Sequence, residues 1–452
     1  LRFFSKNIDM LHGPLLGPLT KFALPLALTA VLQQLFNTAD VFILGQYVGS
    51  NAIAAVGNNL PIISLFVTLF VGISLGANVS IARFIGGHRL KETMEAVHTA
   101  FLLALILGVV LTVVGELTAR WMLVALDVPG QVMGSAELYL RIYMLGMPAI
   151  GLYNFESAIF RSRGNTQTPL YALAVASVLN IALNLFSVTL VNWGLAGVAA
   201  ATVLANYVAA WLLFRALCEA HGTIHLEPAA LHWQGRYVRE ILQIGLPAGI
   251  QGMVFCLSNL VIQAAINSLG PTVMAASSAA FIVEINIYCF MMSFGQAVTT
   301  FVGQNYGAAN IERCYQVFKA GLKLMTSFTI CVPALACYFA PQLVALFDQH
   351  PEVIAIACIR IYYVVGFYIL DGTIELFSGT LRGYGCSLPP ALITLFAICG
   401  VRVLWIYTAF VAWPTFETIM MSYPVSWAPT VILLALLYRF YRRNLKVTRV
   451  LA

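Results

Sequence analysis

The chain is a series of long apolar runs separated by short polar stretches. About 20 helical residues cross a hydrocarbon core of about 30 Å, so each run predicts one membrane-spanning helix. Twelve are expected, near residues 20–46, 52–81, 95–115, 136–159, 168–191, 194–217, 239–267, 272–302, 315–338, 352–380, 388–412 and 422–441. An even number of spans places both termini on one side. The first run, KFALPLALTAVLQQLFNTADVFILG over residues 21–45, is the most informative, because it holds Pro25, Gln33, Gln34, Asn37 and Asp40. Proline removes a backbone donor and lets a helix bend, which makes Pro25 the expected hinge. An acid inside a spanning helix costs about 2.5–3.5 kcal/mol on insertion scales, so Asp40 marks a functional site by default.

Composition agrees with a polytopic, all-α membrane protein. Of 452 residues, 60% are hydrophobic and 9% charged, against about 25% charged in a soluble domain, and the mean hydropathy is +0.87. The segment before the first span lacks the apolar core of a cleavable signal peptide, so none is expected. A net charge of +6 would suit a nucleic-acid binder, but its distribution does not. With the N-terminus inside, every Lys and Arg except Arg120, Arg141, Arg360 and Arg402 falls on an inner segment or inner helix end. That bias predicts cytoplasmic termini and no nucleic-acid partner. The nine cysteines form no CxxC pair and are expected as small buried hydrophobes. His221, His225 and His232 share one loop without a ligand partner, which predicts a solvated face and no metal site.

The chain also repeats itself. FALPLALTAV (22–31) matches IGLPAGIQGM (244–253), LRIY (140–143) returns as IRIY (359–362), and FRSRGNTQTP (160–169) returns as LRGYGCSLPP (381–390). Two six-span copies follow: an N-terminal bundle over 1–218, a cytoplasmic linker over 219–238 and a C-terminal bundle over 239–452. Copies with the same topology are related by an axis along the membrane normal, and such transporters bind substrate near the midplane and rock about it.

Two constellations carry candidate chemistry. In the first, Asp40, Asn184 and Thr202 lie at similar depth, about 9–12 Å from the outer surface, and Asn180 sits one turn from Asn184 on the same helix face. Four oxygen-bearing side chains, one an acid, suit Na⁺ or an exchangeable proton; plain interhelical hydrogen bonding is the alternative. The second holds Glu284, Asp371, Glu375 and Arg402. Glu284 and Arg402 fall near helix centres, which leaves an ion pair between them geometrically open, while Asp371 and Glu375 share a face at i, i+4; a structural salt-bridge cluster is the alternative role. Glu156, near Arg161, is expected as an interfacial pair. Gln34, Phe36, Asn37, Tyr153, Tyr288 and Met292 are candidate wall residues of a substrate cleft.

With these residues placed, the chain resembles the multidrug and toxic compound extrusion (MATE) family. The resemblance rests on LPLALTAVLQQLFNTADVFILGQYVG in the first span, the RSRGNTQTP and LRGYGCSLPP turns, TFVGQNYGA after the eighth span and GLAGVAAATVLAN opening the sixth. It implies two bundles forming a V-shaped cleft, and cation-coupled export of small amphipathic, cationic organic compounds across a bacterial inner membrane. No cofactor is expected beyond the coupling ion, H⁺ or Na⁺, and the partners implied are the exported compounds and membrane lipids, with the protein a monomer. The first constellation resembles the DinF-like branch, with Asn184 where that branch has a second aspartate; a lone carboxylate favours H⁺. Asp371, eleven residues before Arg382, resembles the span-10 acid of the NorM-like branch, whose span-7 glutamate has no counterpart in GMVFCLSN. A flippase for a lipid-linked or bulky precursor is the alternative function, though that use favours an arginine-rich cavity. An enzyme is not expected: the spans hold no HExxH or nucleophile triad, and the chain has no phosphate-binding GxxxxGK[ST] loop.

Overall fold

The computed structural model describes residues 7–220 and 222–450, with side chains to 445. All regular structure in that range is helical. In a membrane this is the expected outcome, because a helix satisfies its own backbone hydrogen bonds where no water can. The first repeat comprises α1 (Leu16–Tyr47), α2 (Ser50–Gly86), α3 (Leu90–Ala125), α4 (Gly130–Met144), α5 (Met147–Ser162), α6 (Gln167–Leu185) and α7 (Gly194–Glu219). The second comprises α8 (Gly235–Ser268), α9 (Pro271–Gly307), α10 (Ile311–Tyr338), α11 (Ala340–Ala345), α12 (Pro351–Val364), α13 (Tyr368–Gly383), α14 (Leu388–Thr394), α15 (Val401–Trp405) and α16 (Phe416–Val450).

Eleven segments among the described residues are helical, long and apolar enough to cross a membrane. The expected span over 136–159 is instead the pair α4 and α5, parted at Leu145–Gly146, with 15 and 16 residues. The cause is local. Pro148 opens α5 with no amide hydrogen to give to the preceding turn, and Gly146 supplies slack. The second repeat is altered at the matching place, where a 3₁₀ turn over Val365–Phe367 joins α12 to α13. There the joint is tight enough for Pro351–Gly383 to remain one crossing segment. Eleven of the twelve expected spans are thus found among the described residues, and the fourth is broken into two short helices.

The helices group into two compact units that do not follow the linker. One holds Ile8 with Leu28–Gly249; the other holds Asp9–Ala27 with the chain from Ile250 onward. Each unit thus takes part of α1 and part of α8. The handover in α1 comes just after Pro25, and in α8 just after Pro247, prolines that the repeat alignment pairs. α1 itself is one unbroken helix through Pro25.

In the first unit, glycines explain the seat of α8. Gly72 and Gly76 on α2 face Gly245 and Gly249 on α8, each pair spaced i, i+4. A Cβ added at Gly72 would stand 2.2 Å from the Gly249 backbone, and one at Gly76 would stand 2.2 Å from the Ile241 carbonyl oxygen. Small residues let helix backbones approach this closely in a membrane. Gly76→Leu is therefore expected to cost about 1–3 kcal/mol through overpacking, seen as a lower melting temperature in detergent. An unchanged melting temperature would show that this seam is not tight.

The linker is not simply a solvated face. His232 brings Nδ1 within 3.4 Å of His98 Nδ1 on α3, with ring centroids 5.1 Å apart. The Glu227 amide donates to His98 Nε2 at 3.4 Å, and His225 Nδ1 lies 3.0 Å from the Ala220 carbonyl oxygen. His98 is buried, so this part of the linker is docked rather than free. His221 lies outside the described residues.

Candidate cation-coupling site

The first constellation assembles in the first unit. α6 ends in a wide π-helical turn over Phe186–Leu190, and Asn192 then takes a left-handed conformation at φ 57° to start the descent into α7. Asn is among the few residues that tolerate this conformation, because its short amide bonds locally. The tight reversal sets Asn180 and Asn184 of α6 beside Thr202 of α7, opposite Asp40 of α1.

Asp40 is 3% exposed, and Asn180, Asn184 and Thr202 are no more than 1% exposed. Asn184 Nδ2 donates to Asp40 Oδ1 at 2.6 Å, and Thr202 Oγ1 lies 2.8 Å from Asp40 Oδ2. Asn180 Nδ2 donates to Thr202 Oγ1 at 3.2 Å, while Asn184 Nδ2 also reaches Asn180 Oδ1 at 3.2 Å. Every member of the predicted set is in one connected network. Thr202 Oγ1 is also 2.9 Å from its own helix at the Val198 carbonyl oxygen. A hydroxyl has a single hydrogen, so Thr202 donates either to the acid or to Val198. Asn184 Oδ1 is buried and accepts no hydrogen bond among the described residues.

Asp40 also lines a cavity of about 250 Å³ within the same unit. Its walls include Gln33, Gln34, Phe36 and Asn37 of α1, Tyr139 and Tyr143 of α4, Tyr153 and Asn154 of α5, and Asn206 of α7. Four of the six expected wall residues are therefore here: Gln34, Phe36, Asn37 and Tyr153. Among the described residues, Asp40 is the single charged side chain on the wall. Tyr153 is anchored by its hydroxyl, which donates to the Pro169 carbonyl oxygen at 3.2 Å. Sequence reasoning missed Tyr139 and Tyr143, whose rings stack with centroids 6.1 Å apart. Their i, i+4 spacing in LYLRIYM was the available signal, since it sets both on one helix face.

The second constellation belongs to the other unit, and the geometrically open Glu284–Arg402 pair does not form. Glu284 of α9 does not bond Arg402. Its Oε2 accepts from Arg360 Nε of α12 at 2.7 Å, and Arg360 Nη1 reaches Ser277 Oγ at 2.6 Å. Tyr368 adds a hydrogen bond from its hydroxyl to the Glu284 carbonyl oxygen at 3.2 Å. Arg360 is 5% exposed, not an outer helix end, because it lies on the face of α12 packed against α9. Arg402 instead donates to Ser426 Oγ at 3.2 Å and lies over the Tyr423 ring at 4.2 Å. Glu375 pairs with Arg382 at 3.5 Å, and Asp371, one turn earlier on α13, makes no ion pair among the described residues. Tyr288 packs against the core of this unit, and Met292 is half-buried one turn further along α9. Neither lines the Asp40 cavity.

Glu156 is likewise no interfacial pair. It is fully buried on α5, and neither carboxyl oxygen has a hydrogen-bond partner among the described residues. A buried charge without a partner costs several kcal/mol. Glu156→Gln is therefore expected to match or exceed the wild type in melting temperature; a clear fall would mean that the carboxyl has a partner.

The MatE family model matches residues 25–186 and again 247–408, so each repeat matches it once. The chain belongs to the MatE family. It is 28% identical over 443 residues to "Probable multidrug resistance protein YoeA" of Bacillus subtilis, covering 95% of each chain. It is also 28% identical to "Probable multidrug resistance protein NorM" of Thermotoga maritima, covering 85% of this chain and 83% of that one. Among solved structures it is similar to a MATE protein crystallised in the bent conformation, with TM-score 0.90, 21% identity, and coverage of 98% of this chain and 99% of that one. For this MatE chain, that likeness establishes the fold. The two matched segments begin at Pro25 and Pro247, the prolines next to which α1 and α8 change units.

Proposed function

We propose that the protein is a multidrug efflux antiporter of the bacterial inner membrane, with both termini cytoplasmic, that exchanges H⁺ for amphipathic, cationic organic compounds by alternating access. The two relatives named above each carry the description "Probable multidrug resistance protein", and the wall of the Asp40 cavity offers aromatic rings, neutral amides and one acid. That lining suits a ring-bearing cation.

The donor set around Asp40 carries the choice of H⁺ over Na⁺. A bound Na⁺ wants oxygen ligands, yet Asn184 turns an N–H toward the carboxylate. Protonation can be accommodated without moving a backbone atom. The acid's O–H would donate to Thr202 Oγ1, which would return its own hydrogen to Val198, or to Asn184 Oδ1 after the amide turns over. Both states would then be hydrogen-bonded, and a buried polar network is stable only when its members are satisfied. Losing the charge would weaken attraction for a cationic substrate in the same cavity, which couples the two fluxes. Pro25 is the proposed hinge of α1 in this cycle. Asp371 and Glu375 take no part in this proposed coupling step.

The test is export of a fluorescent cationic dye from proteoliposomes under an imposed pH gradient or an imposed Na⁺ gradient. Export driven by pH and lost in Asp40→Asn, but kept in Asp371→Asn, supports the reading. The reverse pattern moves coupling to the second unit. Asn184→Asp should restore a two-acid site and make export respond to a Na⁺ gradient; a variant that stays indifferent to Na⁺ argues against the role assigned to this position. The flippase alternative is disfavoured by the cavity wall, which carries no basic side chain among the described residues.

A further inference from the structure

At one end of α10 and α16, in the second unit, two cations converge on one phenol ring. Arg442 Cζ lies 3.4 Å from the centroid of the Tyr315 ring, and Lys319 Nζ lies 4.4 Å from the same centroid. The same two helices are held together nearby by Phe318 of α10, which stacks on Tyr438 of α16 with centroids 4.5 Å apart. A negative ring face attracts one cation well, but two like charges on one ring repel. Further positive charge stands close by on α16, at the exposed Arg439 and Arg443. Among the described residues none of these four cations makes an ion pair. Glu312, the acid in the first turn of α10, makes none either. Charge is thus gathered here with no carboxylate paired to it among the described residues.

The surroundings say where an anion comes from. At 3.6 residues per turn, Arg439, Arg443, Ile432 and Leu436 share the flank of α16 that adjoins Arg442. Ile432 is 61% exposed and Leu436 56% exposed. The flank is thus charged at its end and bare and apolar further along, in the order of a phospholipid's headgroup and acyl chain. This end of the helices is also the side with the excess of Lys and Arg, and basic residues at that level attract anionic headgroups. We infer that Tyr315, Lys319 and Arg442, with Arg439 and Arg443, form a binding site for the headgroup of an anionic glycerophospholipid, whose acyl chain lies along Ile432 and Leu436. Tyr315 holds the two cations apart at fixed positions, so that the phosphate meets a preorganised pair rather than two freely moving side chains.

The full chain, purified in a neutral detergent, provides the test. Phosphatidylglycerol, phosphatidylcholine or inorganic phosphate is added, and the melting temperature is measured for the wild type, for Lys319→Gln/Arg442→Gln and for Lys91→Gln as a basic-residue control on the other unit. The expected result is a rise with phosphatidylglycerol only, kept in Lys91→Gln and reduced to less than about half in the double variant. Native mass spectrometry should show the double variant retaining fewer phosphatidylglycerol molecules under conditions in which both proteins are folded. An equal rise in the double variant would overturn the site. An equal rise with phosphatidylcholine would remove the requirement for anionic charge, and an equal rise with inorganic phosphate would make the ligand a free anion instead of a lipid.

Discussion

Asp40→Asn is expected to reduce dye export driven by a pH gradient to the level of protein-free vesicles, with little change in melting temperature. The reason lies in the size and partners of the side chain. Asparagine occupies the same volume and can still accept from Thr202 or Asn184, so the network between α1, α6 and α7 keeps its hydrogen bonds; exchanges that leave no buried group unsatisfied are close to neutral in stability. It cannot take up or release a proton, and it has no charge with which to compete for a cation in the adjoining cavity. A folded Asp40→Asn protein that still exports dye under a pH gradient would remove Asp40 from the coupling cycle. Thr202→Val is the milder companion, because it removes the hydroxyl that faces the acid yet leaves Asn184 in place.

Arg360→Leu is expected to have the largest effect on stability. Removing one member of a buried ion pair leaves the other charge stranded, at a cost of about 3–5 kcal/mol. Here the stranded group would be Glu284, which is 8% exposed. The matching double change, Glu284→Gln with Arg360→Leu, strands nothing and should recover at least about half of the loss, since replacing both members of a buried pair is often neutral. Melting temperatures of the three proteins in one detergent decide the matter. A double variant as unstable as Arg360→Leu alone would show that the arginine acts through packing, including its position over the Phe281 ring at 5.2 Å, and not through its charge.

The contrast between the two constellations shows what a sequence can carry. The Asp40 network is legible because Asn180, Asn184 and Thr202 lie on α6 and α7, consecutive helices with a short reversal between them, and Asp40 lies a countable distance from the end of α1. Depth along each helix can be counted from these ends, and few polar residues compete for the acid. The second cluster defeated the same arithmetic. Glu284 and Arg402 both fall near the centres of their expected spans, but that does not fix which faces meet, and the charge bias places Arg360 at an outer helix end, away from the cluster. In the first repeat the matching arginine, Arg141, is 45% exposed at its side chain and pairs with Glu137 and Glu116. Equivalent positions in the two repeats therefore differ in burial and in partner. The break between α4 and α5 was hidden for a different reason: hydropathy runs on unchanged through Leu145–Gly146 while the backbone does not. Glu156 was misjudged because Arg161 lies within reach by sequence, though nothing in the spacing states that the two side chains meet.

The division of α1 and α8 between the units bears on how the chain is made. A ribosome that has finished the first six spans has not yet made all of the first unit, because Gly245 and Gly249 lie beyond the linker. Until they emerge, the Gly72–Gly76 face of α2 has no helix to close on and stays open to lipid or to whatever holds the nascent chain. The opening part of α1, made first, waits still longer, since its unit is built from residues after 250. Insertion of the spans can proceed in order from the N-terminus, but packing cannot finish half by half.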